Sequence, residues 1–184
     1  ISFIEAVKKC ADMCGVILDI KNNSNVEQNK KFKELFEIYE ISHKFYQNNI
    51  NSTLGKKAKE YLYSRGITDN EIKKFEIGLS LNDYDLLVKL LQQKKYSDKD
   101  LLKSGLANAN DNGLYDIYRN RIMFPLQDYL GKVKGYNGRI YQGETTNKYV
   151  NSKETDIFKK RDYLYNFHRA KDSAREKKRD YNYE

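Results

Sequence analysis

Arg119 and Arg121 stand two residues apart in "DIYRNRIMFPLQDYLGKVKGYNGRIYQ", and Arg139 follows beyond a turn. A guanidinium presents a planar fork of N–H donors that matches phosphate oxygens, and a lysine ammonium acts there as a mobile point charge. Lys132, Lys134, Lys148, Lys153, Lys159, Lys160 and Arg161 crowd the same region, with Tyr136, Asn137, Tyr149, Asn151 and Ser152 between them. Aromatic rings can stack bases, and amides or hydroxyls can donate to phosphate or sugar oxygens. Residue types and order therefore predict the rim of a polyanion groove, the competing reading being a solvated strand edge. Chemistry on a phosphorus centre is harder to place. Two-metal catalysis needs carboxylates that converge, and Asp116, Asp128, Glu144, Glu154 and Asp156 are scattered. Cys10 and Cys14, at i, i+4, read as two thiols on one helix face. His43 and His168 lack zinc spacing relative to them. No catalytic and no metal-ligating residue is expected in the chain.

The elements that must carry these groups are legible from periodicity. "FKELFEIYEISHKFYQNNI" keeps a 3.6-residue apolar period through Phe32, Leu35, Phe36, Tyr39, Ser42, Phe45 and Tyr46, and predicts a long helix. Further helices are expected over "GKKAKEYLYSRG", from the capping-box pattern Thr68 to Glu71 through Phe75, after Asn82 or Asp83 as cap, and from Ser97 to Gly105. Residues 32–105 thus read as a helical unit. Runs of Ile, Val, Tyr and Phe between glycines from Leu114 to Val150 read as strands. Ile122, Met123, Phe124 and Leu126 suit a mostly buried strand, Asp128 to Gly131 a turn, and Lys132 to Ile140 the returning strand. Alternation along one strand would put Arg119 and Arg121 on a single face. The stretch 161–180 predicts a closing charged helix, 1–20 a short amphipathic helix, and 21–31 a polar linker. The fold class is α+β: a bundle-like helical half packed with a small, mostly antiparallel sheet.

With 184 residues, 39% hydrophobic and 33% charged, the chain suits one ordinary domain, or a small one with an appendage. The net charge of +8 permits a polyanion partner. No run is long and apolar enough for a membrane span, and no signal peptide is present, so the cytoplasm and no membrane partner are expected.

The order of motifs resembles the bacterial replicative DNA primase family (DnaG type). The matching stretches are "ISFIEAVKKCADMCG", "KAKEYLYSRGITDNEIKKFEIGLS", "YRNRIMFPLQDYLGKVKGYNGRI" and "NKYVNSKETDIFKKRDYLYN". The resemblance implies that 1–20 is the last helix of an upstream zinc-binding domain. It implies that 32–184 is the N-terminal subdomain of the RNA polymerase core, with a toprim subdomain and a helicase-binding domain outside the chain. Expected partners are then a single-stranded DNA template, ribonucleoside triphosphates, the RNA primer and, through the absent domain, the replicative helicase. Mg²⁺ and Zn²⁺ serve the full-length protein and none binds here. The chain by itself is expected to be an inactive monomer. Residue by residue, the resemblance assigns template contacts to Arg65, Arg119, Arg121, Arg139, Lys148, Tyr149 and Asn151, and nucleotide contacts to Lys148, Tyr149, Ser152 and Lys160. The family often has glycine at Asn137 and proline at Lys153. Alternatives are a non-enzymatic single-stranded nucleic-acid-binding module and a piece of a phage primase–helicase.

Overall fold

A computed structural model describes Ala6, Val7 and residues 26–143, 147–162 and 165–170. Compactness divides the chain into Ile1–Lys31 and Phe32–Glu184. Ala6 and Val7 are helical; the rest of the expected N-terminal helix lies outside the described residues. The first long helix, α1, runs from Val26 to Asn51. It starts inside the stretch expected as a linker, because nothing between Val26 and Lys31 breaks a helix: there is no Gly or Pro. Four short helices follow: α2 (Lys56–Ser64), α3 (Asp69–Lys74), α4 (Leu86–Gln93) and α5 (Asp98–Ser104).

Local signals explain two of these termini. At α3 the Thr68 hydroxyl accepts from the Glu71 N–H, and the Glu71 carboxylate accepts from the Thr68 N–H at 2.7 Å. At α5 Ser97 caps the start, and Gly105 closes the end in the left-handed region at φ 68°. Helix α4 differs. Neither Asn82 nor Asp83 supplies the expected cap. Asp116, from a distant strand, accepts from the N–H groups of Leu87 (2.8 Å) and Val88 (3.0 Å).

The main sheet has the order β1-β4-β5-β6, all antiparallel neighbours. Its strands are β1 (Gly78–Ser80), β4 (Arg121–Gln127), β5 (Val133–Ile140) and β6 (Tyr149–Asn151). A hairpin of β2 (Ala107–Asn110) and β3 (Gly113–Asp116) stands apart. One strand corrects the sequence reading: β1 lies inside the stretch expected to be helical. It is three residues long, too short to show a period. β1 is placed by its partners: Gly78 lies so close to α1 that a Cβ there would stand 2.6 Å from the Cβ of Tyr46. Pro125 is tolerated in β4 because β1 pairs only with Arg121 to Met123, leaving that side of β4 unpaired by β1 at Pro125.

Each sheet face covers one cluster. On one side Ile38, Tyr39 and Tyr46 of α1 pack with Leu87, Leu91, Leu101, Tyr118, Met123 and Tyr136. Tyr136 is the hub, its ring centroid 5.8 Å from Tyr39, 5.3 Å from Tyr46 and 6.2 Å from Tyr118. Burial pushes these phenols up, that of Tyr118 to about 12. Tyr39, Tyr118 and Tyr136 therefore act as neutral donors, Tyr39 to the Ser104 carbonyl at 2.8 Å. On the other side Ala58, Leu62, Ile72 and Ile77 pack with Leu79 and Ile122. Of the expected closing helix, residues 167–170 are helical; 171–180 lie outside the described residues. Arg169 joins this end to the sheet, donating to Glu76 (2.8 Å) and Gln127 (2.8 Å). Glu76 also binds His43 at 2.9 Å, and that bond is the main reason its carboxyl sits below its ordinary pKa.

Candidate nucleic-acid interface

Register decides which side chains share a face. Cross-strand partners point the same way, so the pairs Ile122↔Arg139, Phe124↔Asn137, Asn137↔Asn151 and Arg139↔Tyr149 lie on one face of the sheet. The α2–α3 cluster covers that face at Ile122, which is fully buried. Beyond it the face opens into a cavity of about 380 Å³ lined by Phe124, Leu126, Asn137, Arg139, Tyr149 and Tyr165.

A row of aromatic and cationic groups edges this opening. The Arg139 guanidinium lies 5.5 Å from the ring centroid of Tyr61 and 5.2 Å from that of Tyr149. Arg65 lies 5.5 Å from the same Tyr61 ring. Such stacking holds a guanidinium by its face for about 0.5–1 kcal/mol and leaves its N–H edge available. Among the described residues neither arginine is paired with a carboxylate. Tyr149 is 50% exposed, enough to offer a ring face. Asn137 donates to the Asn151 side chain at 2.7 Å, while its own Oδ1 is buried without a partner. The arrangement can bind phosphate at its edge and flat apolar groups on its floor.

Several residues expected here lie elsewhere or are spent within the fold. Arg121 is 8% exposed. It donates to the backbone carbonyls of Gly138 (3.1 Å), Lys148 (3.2 Å) and Asn147 (3.0 Å), which makes it a brace for the chain entering β6 and not a phosphate ligand. Arg119 does not share its face. Asn120, at φ 54°, breaks the extended chain between them. Arg119 is exposed and sits 5.6 Å from Tyr84 and 5.7 Å from Tyr115. Ser152 is buried, its Oγ accepting from the Tyr136 N–H at 2.7 Å and bonded to the Tyr118 hydroxyl at 2.8 Å. Nucleotide binding by Ser152 would require breaking both. Tyr136 is in the core and cannot stack a base. Lys134 is also spent, 3.6 Å from the Phe36 centroid and 3.4 Å from Asp128. Lys148 is exposed opposite Ile140, whose N–H donates to its carbonyl at 3.0 Å. Alternation assigns it to the other side of the sheet from Arg139 and Tyr149. Lys160 is exposed on a 3-10 turn over Lys160–Asp162, its N–H donating to Glu154 at 3.2 Å.

The structure thus brings together Arg65, Arg139, Tyr149 and Asn151 and adds three residues that sequence reasoning missed. Tyr61 had a usable signal, since it is four residues before Arg65 on one helix. Phe124 was read only as core, and Tyr165 had no signal. Among the described residues no group of three His, Cys, Asp or Glu side chains could hold a metal ion, and no helix is long and apolar enough to cross a membrane.

The family described as "DNA primase catalytic core, N-terminal domain" matches residues 45–171. A DNA primase of Staphylococcus aureus (strain COL) is 40% identical over 181 residues, covering 95% of this chain and 30% of that protein. One from Lactococcus lactis subsp. lactis (strain IL1403) is 38% identical over 174 residues, covering 93% and 27%. The chain therefore spans under a third of the curated relatives it matches. Among solved structures, a DnaG primase catalytic domain bound to ssDNA superposes with a TM-score of 0.74 at 33% identity, over 79% of this chain and 47% of that one. The zinc-binding and RNA polymerase domains of the Aquifex aeolicus primase give 0.73 at 26% identity, over 96% and 42%. With the fold and these matches in agreement, the chain belongs to the DnaG-type DNA primase family, as the N-terminal domain of the catalytic core.

Proposed function

We propose that this chain is the template-handling part of a cytoplasmic primase that makes short RNA primers on single-stranded DNA. The observation that carries the reading is the pair of guanidiniums, Arg65 and Arg139, that no carboxylate among the described residues pairs, held by Tyr61 and Tyr149 at the open half of the sheet face. In this reading the template's phosphates lie along the two guanidiniums, a base stacks on Tyr149, and Asn151 donates to the sugar–phosphate chain. Binding releases condensed counterions, so affinity should fall steeply with salt. Arg119, Lys148 and Lys160 act as outlying cations, and Lys148 and Lys160 serve the incoming ribonucleoside triphosphate. The carboxylates described here do not converge, so no metal-dependent step is assigned to them. We place the use of Mg²⁺ and Zn²⁺, and contact with a replicative helicase, in parts of the primase that this chain does not span.

The test is the salt dependence of binding to a single-stranded oligonucleotide. Each phosphate neutralised contributes about −0.7 to the log–log slope. Arg139→Ala or Arg65→Ala should lower affinity and flatten the slope by under about one unit. Tyr149→Ala should cost about 1–3 kcal/mol with little change of slope. Lys33, whose side chain is 77% exposed beside Glu37 on α1, is the control. Binding indifferent to salt, or a Lys33→Ala effect equal to that of Arg139→Ala, would overturn the reading.

A further inference from the structure

We infer that the cavity on the open sheet face is a base-reading pocket, and that Asn137 is the residue that reads. The pocket accepts one nucleobase of the template, and an exocyclic amino group of that base donates to Asn137 Oδ1. This rests on the template reading above and adds base selectivity to it.

Three observations lead there. The first is size. At about 380 Å³ the cavity falls at the lower end of small-ligand sites, which run from about 300 to 1,000 Å³. That suits one flat ring system and not a stretch of strand. The second is the character of the lining. Phe124 and Leu126 make an apolar floor, Tyr149 and Tyr165 are 50% and 54% exposed, and Arg139 borders the same space. Aromatic walls with a cation suit a base attached to a phosphate.

The third is the polarity of Asn137. Its Nδ2 is held by Asn151 at 2.7 Å, which fixes the way the amide points and leaves Oδ1 as the available atom. That oxygen is buried and has no donor. A buried acceptor is normally satisfied; an unsatisfied one beside a ligand-sized cavity is matched by a ligand that brings an N–H. Adenine, cytosine and guanine carry an exocyclic amino group and thymine does not. Among the described lining residues Tyr165 is the one not carried by the sheet, so it is the group that yields when a base enters and reaches Oδ1.

The experiment uses the full 184-residue chain and fluorescence anisotropy at fixed salt. Two oligonucleotides of equal length are compared, oligo-deoxyadenylate and its counterpart built from purine nucleosides lacking the 6-amino group. Charge and ring size are the same, so only the amino donor differs. The chain is expected to bind the amino-bearing oligomer roughly threefold to tenfold more tightly, the worth of one hydrogen bond. Asn137→Ala should erase that ratio and leave the salt slope unchanged, with circular dichroism confirming the fold. Arg139→Ala should weaken both oligomers and preserve the ratio. Equal binding of the two oligomers by the unmodified chain overturns the pocket and leaves the template reading standing. A ratio that survives Asn137→Ala removes Asn137 from the reading role. Failure to bind either oligomer overturns the template reading and the pocket with it.

Discussion

Replacing Arg121 with alanine separates two roles that the sequence leaves entangled. If the side chain were a template contact, its loss would weaken DNA binding in an intact fold. The structure gives it three backbone carbonyls, at 3.0–3.2 Å. Hydrogen bonds from a charged donor contribute about 1.5–3 kcal/mol each when no water can substitute. Asn147 and Lys148 are exposed, so water replaces the guanidinium there and the loss is roughly 1 kcal/mol in all. Gly138 is buried against Tyr118 and Arg121 itself, but its carbonyl stays paired with Val150 across β6, so losing the guanidinium there costs roughly 1 kcal/mol. A total near 2 kcal/mol should lower Tm by about 4–8 °C in a domain of this size. Because β6 is three residues long and the chain enters it at Asn147–Lys148, Tyr149 should also lose its place against Arg139. DNA affinity should then fall in parallel. Arg121→Lys should recover little, since one ammonium cannot fork between Gly138 and Asn147. Differential scanning calorimetry with an oligonucleotide titration checks both effects. A Tm within about 2 °C of the parent, with affinity and salt slope both reduced, would refute the brace and restore the phosphate contact.

Asp116 should make stability depend on pH. Burial is the largest influence on its carboxyl and pushes the pKa up to about 6, against the pull of the Leu87 and Val88 N–H groups. Between about pH 4 and 6 the folded chain keeps a proton that the unfolded chain has released, so this contribution is full below pH 4 and lost as pH rises through 6, by up to about 3 kcal/mol. Asp116→Asn should remove that slope in urea unfolding at pH 4.5, 5.5 and 7; identical profiles for the two proteins would contradict it. Gly78→Ala drives a methyl group to 2.6 Å from Tyr46 Cβ and 2.9 Å from its backbone carbon. It should cost about 1–3 kcal/mol, read as a lower urea midpoint, and an unchanged midpoint would show that β1 and α1 are not in close contact. The chain by itself, given single-stranded template, nucleotides and Mg²⁺, should make no primer; RNA synthesis by a pure preparation would contradict the assignment of metal chemistry to other parts of the primase.

What the sequence determined by itself was whatever depends on neighbours a few residues away. The Thr68–Glu71 capping box, the Ser97 and Gly105 ends of α5, the apolar period of α1 and the alternation of β4 and β5 all arise from i, i+2 to i, i+4 geometry. Linear order carries that geometry. The family motifs likewise placed Arg65, Arg139 and Tyr149 among the candidates, because a motif is a local string. Tertiary structure alone decided the rest. Arg119 and Arg121 look equivalent on the page, yet the turn at Asn120 sends one to Tyr84 and Tyr115 and the other to the β5 and β6 backbone. Ser152 and Tyr136 have the composition of a binding site and are core. Asp116 caps a helix that begins some thirty residues before it, and Tyr61 meets an arginine from another element. The physical reason is common to these cases. Whether a polar side chain faces water, a ligand or a carbonyl is set by which distant segment packs against it, and no local propensity encodes that.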